Sequence, residues 1–310
     1  APRAVESVVN DLLAPALQGQ DATQITALTE QLFRYTHLFG RYGITTFAIS
    51  GVEMALWDLA GKRAGLPLYQ LLGGAASLEV PAYASLIRHP EASAVISEES
   101  RRAVDEGYTM VKLHQNEPES AGMARSVIGP DIPITVDINC VWSPFDATAM
   151  ACALDEHELL WLEEPVWPPE DYAGLAQVQE ASGVAIAAGE NYCMARQFEA
   201  AMDAGALTFA QPSVTKVGGI SEFLAVARLA ELRGVEVAPH SPYFGPGFVA
   251  TLHLIAHIGR IEWVEQIYVE LESPLFAKPP LFAGAVYQVP EGPGLGVELA
   301  PGLLERYKLT

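Results

Sequence analysis

Cysteine and basic residues are scarce in this chain, and each shortage excludes a class of protein. The three cysteines, Cys140, Cys152 and Cys193, form no Cys-x-x-Cys pair. Their odd number predicts free thiols in a reducing, cytoplasmic compartment, not a disulfide framework. The chain has 18 lysines and arginines against 38 acidic residues and a net charge of −20. So acidic a surface repels the phosphates of nucleic acid and of an anionic membrane, and the sequence therefore predicts no binding to either.

The sequence also lacks long apolar runs and several common motifs. No stretch is long enough to span a bilayer, and no signal peptide is visible. P-loop, GxGxxG and GxSxG patterns are missing. His253 and His257 have the spacing of a zinc-binding helix, but the glutamate of HExxH is absent, so a helix face is predicted. With 310 residues, half of them hydrophobic, the chain is long enough for a large α/β core.

Residues 2 to about 72 are predicted to be helical. Apolar side chains recur at helical spacing in two early segments, as with Ile25, Leu28 and Leu32. A longer helix is predicted over residues 47–65, with stop signals at Gly65 and the proline that follows. The two acidic residues of this helix, Glu53 and Asp58, are expected to make structural hydrogen bonds.

From Leu78 onward, strands and amphipathic helices alternate with one period. Alternation at constant spacing predicts a parallel sheet. Eight such units favour a closed (β/α)₈-type barrel over an open sheet. The final segment, from about Ser273, is rich in proline and glycine and is expected to return to the N-terminal helices. The predicted strands are residues 80–86, 108–114, 133–139, 159–165, 184–190, 207–213, 235–240 and 261–267.

Three consecutive strands carry a carboxylate at the C-terminal end. Asp137, Glu163 and Glu190 lie 26 and 27 residues apart, which matches the roughly 25 to 30 residues of a strand–helix–strand unit. In a closed barrel these acids converge and repel one another unless a cation lies among them. Hard oxygen ligands are typical of a Mg²⁺ site. Glu164 should point elsewhere, because successive strand residues face opposite sides.

Proton-transfer groups stand at other strand ends. Lys112 and His114 are two residues apart and therefore face the same side, the barrel interior. His240 should lie across the barrel mouth from them. Such groups around a metal-bound ligand favour abstraction of a proton next to a carboxylate. The remaining polar strand ends are Asn139, Asn191, Ser213 and Glu265. Of these, Asn139, Asn191 and Ser213 are expected to contact the substrate or the metal shell, and Glu265 is a further catalytic candidate.

Taken together, these motifs resemble the enolase superfamily, in its mandelate racemase/muconate lactonizing enzyme-like branch. The resemblance implies a (β/α)₇β barrel, residues 76–272, under an α+β capping domain whose N-terminal strands we expect to be absent here. It places the helical part of the cap at 1–75 and the returning segment at 273–310, with Mg²⁺ held by Asp137, Glu163 and Glu190. The matching stretches are SGVEMALWDLAGK, KLH, VDIN, WLEEP, AGEN, QPSVTKVGG, APHS and WVEQ.

The sequence departs from that family pattern at two positions. The usual Lys-x-Lys of the second strand is Lys112-Leu113-His114, so histidine holds the position of the usual base. Ser213 stands where mandelate racemase-like members have the aspartate that pairs with the seventh-strand histidine, here His240. The resemblance also implies that Glu265 hydrogen-bonds the substrate carboxylate.

Three functions remain open at this point. The first is Mg²⁺-dependent dehydration of an acid sugar to a 2-keto-3-deoxy acid, with His114, helped by Lys112, as base and His240 as acid. The second is a racemase or epimerase of a 2-hydroxy acid or related carboxylate. The third is a metal-binding barrel that has lost catalysis. In each case the expected partners are a small-molecule carboxylate and further copies of the chain.

Overall fold

A parallel barrel forms the centre of the molecule. The computed structural model describes residues 2–89 and 93–308. Within them, all eight predicted barrel strands are confirmed, most of them shorter than predicted. The strands are β1 (Glu79–Ser85), β2 (Val111–Leu113), β3 (Ile134–Asp137), β4 (Trp161–Glu163), β5 (Ile186–Ala188), β6 (Phe209–Ala210), β7 (Glu236–Val237), β8 (Val264–Ile267), β9 (Phe282–Ala283) and β10 (Val286–Gln288).

Helices surround the barrel and form the N-terminal cap. One helix follows each of β1 to β7, which gives the (β/α)₇β order that the resemblance implies. A π-helical turn at Val8–Leu13 joins α1 to α2. The helices are α1 (Pro2–Ser7), α2 (Ala14–Leu17), α3 (Ile25–Thr36), α4 (Ile44–Ala64), α5 (Leu68–Leu71), α6 (Ser93–Asp105), α7 (Pro118–Ile128), α8 (Pro144–Leu154), α9 (Tyr172–Ser182), α10 (Met194–Asp203), α11 (Ile220–Arg233), α12 (Pro246–Ile258) and α13 (Leu303–Tyr307).

The barrel strands pair in chain order. Parallel ladders join β1 to β2 and continue through β7, and β8 pairs with β1. Within the described residues, no main-chain ladder joins β7 to β8. Ser241 closes this seam instead: its hydroxyl donates to the carbonyl of Glu265 and accepts from the N–H of Glu265, both at 3.1 Å. A side chain thus completes the closed barrel.

The long cap helix α4 begins three residues before the predicted start and ends as predicted, at a left-handed Gly65. Its far end packs on the C-terminal segment. The Asp58 carboxylate accepts the N–H of Leu295 at 2.8 Å, and a Cβ on Gly61 would lie 2.7 Å from Gly294. These contacts join α4 to residues 294 and 295 of the segment that is predicted to return to the cap.

The C-terminal segment also contains a hairpin that the sequence reading missed. Strands β9 and β10 pair with each other, and β10 adds to β1 in antiparallel register. The strands have only two and three residues, too short for alternation to reveal them.

Candidate metal centre and proton-transfer site

The three predicted carboxylates meet at one edge of the barrel. Asp137 and Glu163 end β3 and β4 and are direct neighbours in the parallel register. Glu190 follows the end of β5 by two residues. One ligand oxygen from each lies within 4.8 Å of the others. The convergence predicted from the spacing is confirmed.

Burial and neighbouring charges shift these acids in opposite directions. Burial and then repulsion by Asp137 raise the pKa of Glu163 well above its usual range. Burial opposes ionisation of Asp137, but Lys112 and His114 outweigh it and hold the pKa of Asp137 below its usual range. Burial likewise opposes ionisation of Glu190, whose pKa His240 lowers to about 2. The carboxylates of the cluster therefore carry more negative charge than the neighbouring cationic side chains neutralise.

The cluster fits Mg²⁺ on its donor chemistry. Among the described residues, Asp137 Oδ2 is buried with no hydrogen-bond partner of good geometry, although it lies 3.0 Å from Lys112 Nζ. An acceptor left open beside two further carboxylates suits a hard divalent cation, which prefers oxygen ligands. Asp137, Glu163 and Glu190 therefore fit the Mg²⁺ site that the sequence predicts.

Lys112 lies at the centre of the acids. Its Nζ is 3.0 Å from Asp137, 2.6 Å from Glu163 and 3.1 Å from Glu265. Burial opposes its charge, but these three carboxylates outweigh burial and raise the pKa of Lys112. As predicted, the side chain faces the barrel interior, where it holds a positive charge.

Glu265 is fully buried beside Lys112. It accepts from the Ser85 hydroxyl at 2.8 Å and from the Ser241 N–H at 3.1 Å. Burial opposes its ionisation, but Lys112 and His240 outweigh burial and lower the pKa of Glu265. Its contact with the substrate carboxylate stays a prediction.

His114 lies on the β2 side of the cluster. Its Nδ1–H donates to the Leu86 carbonyl at 2.6 Å. Because a carbonyl only accepts, this bond fixes the hydrogen on Nδ1 and leaves Nε2 facing the site. Nε2 lies 3.3 Å from Asp137 Oδ2.

His240 lies on the β7 side. Its Nε2 is 2.6 Å from Glu190 Oε2, and its Nδ1 is 3.3 Å from the hydroxyl of the fully buried Ser213. The two histidines thus contact the first and the last of the three acids. They flank the metal site from opposite sides.

The two predicted asparagines lie beside the acids. The Asn139 N–H donates to Asp137 Oδ1 at 2.8 Å. The Asn191 amide donates to Glu164 Oε2 at 2.7 Å. Glu164 itself points away from the metal ligands toward Cys140, as alternation predicts, and burial raises its pKa to about 8. Substrate contacts of both asparagines stay predictions.

Some residues of the site escaped the sequence reading. The indole of Trp161 and the amide of Gln211 donate to Glu163 Oε2 at 3.1 and 2.7 Å. Each stands two residues from a strand-end candidate, so period-2 alternation could have found both. Lys216 Nζ lies 3.5 Å from Glu190 Oε1, a contact that only the folded loop after β6 creates.

A cavity of about 830 Å³ lies between α4 and the barrel mouth. Lys216 and Tyr243 line it, and it therefore reaches the edge of the carboxylate cluster through these two residues. In the part of the chain that the structure describes, no helix is both long and apolar enough to cross a membrane.

Known proteins share both the sequence and the fold. Residues 95–303 match the enolase C-terminal domain-like family, and residues 1–73 match the mandelate racemase/muconate lactonizing enzyme N-terminal domain. A 3,6-anhydro-alpha-L-galactonate cycloisomerase of Streptomyces coelicolor is 33% identical over 96% of this chain and 81% of its own length. An arabinonate dehydratase of Saccharolobus solfataricus is 30% identical over 98% of this chain and 84% of its own length.

A solved racemase from Streptomyces coelicolor with bound magnesium superposes with a TM-score of 0.90 at 32% identity, covering 99% of this chain and 84% of its own. These likenesses extend over both the cap helices and the barrel, and they include proteins named as a cycloisomerase and a dehydratase. The chain is an enzyme, and it belongs to the enolase superfamily, in the mandelate racemase/muconate lactonizing enzyme-like branch.

Proposed function

We propose that the protein removes a proton next to a carboxylate and eliminates the β-oxygen, converting an acid sugar to a 2-keto-3-deoxy acid. The observation that carries the proposal is the pair of histidines on opposite sides of the three carboxylates, His114 against Asp137 and His240 against Glu190. One histidine can take the α-proton while the other donates a proton to the leaving oxygen.

His114 is the base in this proposal. Its Nδ1–H is committed to the Leu86 carbonyl, so only Nε2 is available to accept a proton from the substrate. The loop carbonyl therefore performs the orienting role that a second side chain performs in other catalytic histidine pairs.

Lys112 and the metal stabilise the charge that develops on the substrate. Mg²⁺, when bound, supplies electrostatic stabilisation of the negative charge on the substrate carboxylate. Lys112 adds a buried positive charge among the carboxylates. In this proposal Asn139 and Asn191 orient the hydroxyl groups of the substrate.

The relatives support this reaction class. Both an arabinonate dehydratase and a 3,6-anhydro-alpha-L-galactonate cycloisomerase resemble the chain over nearly its whole length. Their names describe sugar-acid chemistry, and we transfer the class, not the particular substrate.

The test is a substrate panel. The protein with Mg²⁺ is incubated with aldonic and aldaric acids and with anhydro-sugar acids, and 2-keto-3-deoxy products are assayed. We expect turnover of at least one acid, abolished in Asp137→Asn. Absence of turnover across the panel, with Mg²⁺ binding intact by calorimetry, would contradict the proposal.

Racemisation or epimerisation is the second candidate, because histidines on both sides could exchange a proton on either face. One similar solved structure is described as a racemase. In D₂O, this candidate gives deuterium at the α-carbon with inversion and no loss of the β-oxygen. Elimination gives the keto product instead.

A further inference from the structure

A second cavity lies between the cap and the barrel, and none of the metal ligands or catalytic candidates lines it. Its volume is about 510 Å³, which is within the usual range for small-molecule sites. The cap contributes the end of α3 and the loop that follows it, and the barrel contributes the first turn of α10. Its basic residues are Arg34, His37, Arg41 and Arg196.

The charge of this cavity is opposite to that of the protein. The chain has a net charge of −20, whereas three arginines line the cavity against one carboxylate, that of Glu30. With His37 neutral, the lining therefore has a net charge of +2, three minus one. In four other cavities, lysines and arginines do not outnumber the acidic residues. An excess of positive charge at one place on so acidic a chain indicates a site for an anion.

The three guanidinium groups keep most of their donors free for a ligand. Arg34 Nε donates to Glu30 at 2.6 Å. Arg41 lies over the Tyr42 ring, 5.6 Å from its centroid, and reaches the Tyr42 hydroxyl at 3.4 Å. Arg196 makes no side-chain hydrogen bond or ion pair within residues 2–89 and 93–308. Since each guanidinium has five N–H donors, these few contacts leave the fork-shaped ends available.

The amino end of α10 adds positive charge on the barrel side. The helix begins at Met194 and has no acidic residue in its first turn, where Arg196 lies. One N–H of that turn is already used, because the Glu222 carboxylate accepts from Ala195 at 2.7 Å. The remaining partial charge of the helix end favours an anion beside the arginine.

Both walls of the cavity are fixed to the barrel mouth. The Gly43 N–H of the cap loop donates to the Cys193 sulfur at 3.4 Å, three residues after Glu190. The Phe33 ring packs on the loop after β6, where a Cβ on Gly218 would lie 3.1 Å from it. A ligand in this cavity therefore contacts the cap and the barrel at once.

We propose that this cationic cavity binds a phosphate monoester with an aromatic substituent and thereby joins the cap loop to the barrel. A phosphate monoester carries about −1.5 to −2 charges at pH 7, which matches the charge of the lining. Guanidinium groups bind phosphate oxygens in pairs, with better geometry than an ammonium group. The rings of Phe33 and Tyr42 line the cavity and contact the aromatic substituent. The site is separate from the metal centre, so the inference does not depend on the proposed elimination.

The test is calorimetric titration of the Mg²⁺-loaded protein with phenyl phosphate. We expect saturable binding, weakened about tenfold or more by Arg196→Gln and by Arg41→Gln, because each variant loses charge-assisted hydrogen bonds. Arg101→Gln removes the same charge from an exposed position on α6 and should change Kd less than about twofold. Inorganic phosphate lacks the ring and benzoate lacks the phosphate, so each should bind about tenfold more weakly than phenyl phosphate.

Asp137→Asn distinguishes the cavity from the metal centre. Binding of phenyl phosphate should survive in this variant, whereas its loss would place the phosphate on the metal ion and overturn the proposal. Absence of binding to the wild-type protein, or equal weakening by Arg196→Gln and Arg101→Gln, would overturn it as well. Sedimentation velocity examines a protein occupant. If Arg196→Gln dissociates an oligomer and phenyl phosphate does not bind, the cavity is a contact between copies of the chain and the proposal is wrong.

Discussion

The carboxylate of Glu53 on cap helix α4 accepts the main-chain N–H of Ile220, the first residue of barrel helix α11, at 2.7 Å. The same side chain accepts from the Ser221 N–H at 3.0 Å and its hydroxyl at 2.6 Å, and from the Trp57 indole at 2.8 Å. A Cβ on Gly219 would lie 2.2 Å from Glu53 Oε2, so glycine is required where the two domains touch. The glutamate caps a helix of the other domain.

Replacing Glu53 should therefore loosen the cap from the barrel. Glu53→Ala leaves buried donors of Ile220, Ser221 and Trp57 without partners, and we expect a loss of about 3 kcal/mol or more in the free energy of unfolding. Urea denaturation measures it. Glu30→Ala, on the exposed face of α3, is the control and should cost at most about 0.5 kcal/mol. Equal effects would show that the contact between domains contributes little.

Mg²⁺ should stabilise the folded protein, because it neutralises three carboxylates within 4.8 Å of one another. At 100 times its Kd, one bound ion adds about 2.7 kcal/mol. Thermal unfolding with Mg²⁺ and with EDTA measures the shift in Tm, which Asp137→Asn should abolish. Asp105→Asn, an exposed acid at the end of α6, should keep the full shift. A shift that survives Asp137→Asn would place the ion elsewhere.

Substituting His114 should remove proton abstraction without removing the metal. His114→Gln lacks the imidazole Nε2 that faces Asp137, and we expect α-proton exchange in D₂O to slow about 10²- to 10⁴-fold. Mg²⁺ affinity, measured by calorimetry, should change little. His257→Gln alters a histidine that bonds the Gly74 carbonyl and should leave exchange intact. Unchanged exchange in His114→Gln would assign the base elsewhere.

His253 should make the protein less stable in mild acid. Its Nδ1 accepts the Tyr69 N–H at 3.3 Å, and its Nε2–H donates to the Leu295 carbonyl at 3.2 Å. Burial lowers the pKa of His253 from 6.5 to about 4. Between these two pH values, His253 is therefore protonated in the unfolded chain but not in the folded chain. This stabilisation is complete above pH 6.5 and is lost as the pH falls toward 4, by about 3 kcal/mol in total.

The free energy of unfolding, followed between pH 7 and 4.5, tests this effect. His253→Gln should be less stable at pH 7 but should show a flatter dependence on pH. His37→Gln, an exposed histidine of the cap, should reproduce the slope of the parent protein. Identical slopes in all three proteins would refute the role of His253.

The sequence by itself determined the barrel and the metal ligands. Hydrophobic runs at a constant period define β1 to β8, and a carboxylate at the same phase of three successive units must lie at one edge of a parallel sheet. Asp137, Glu163 and Glu190 could therefore be named without coordinates. His114 and Lys112 followed from period-2 alternation on β2.

Only the tertiary structure decided how those groups are supported. Ser213 and His240 are 27 residues apart, and Glu53 and Ile220 are 167 apart, separations at which no local pattern predicts a hydrogen bond. The serine that closes β7 to β8 and the carbonyl that fixes the tautomer of His114 meet their partners only in the folded chain, at 3.1 and 2.6 Å. Local propensity and periodicity specify which face a residue occupies, whereas the packing of distant elements determines which atom it meets.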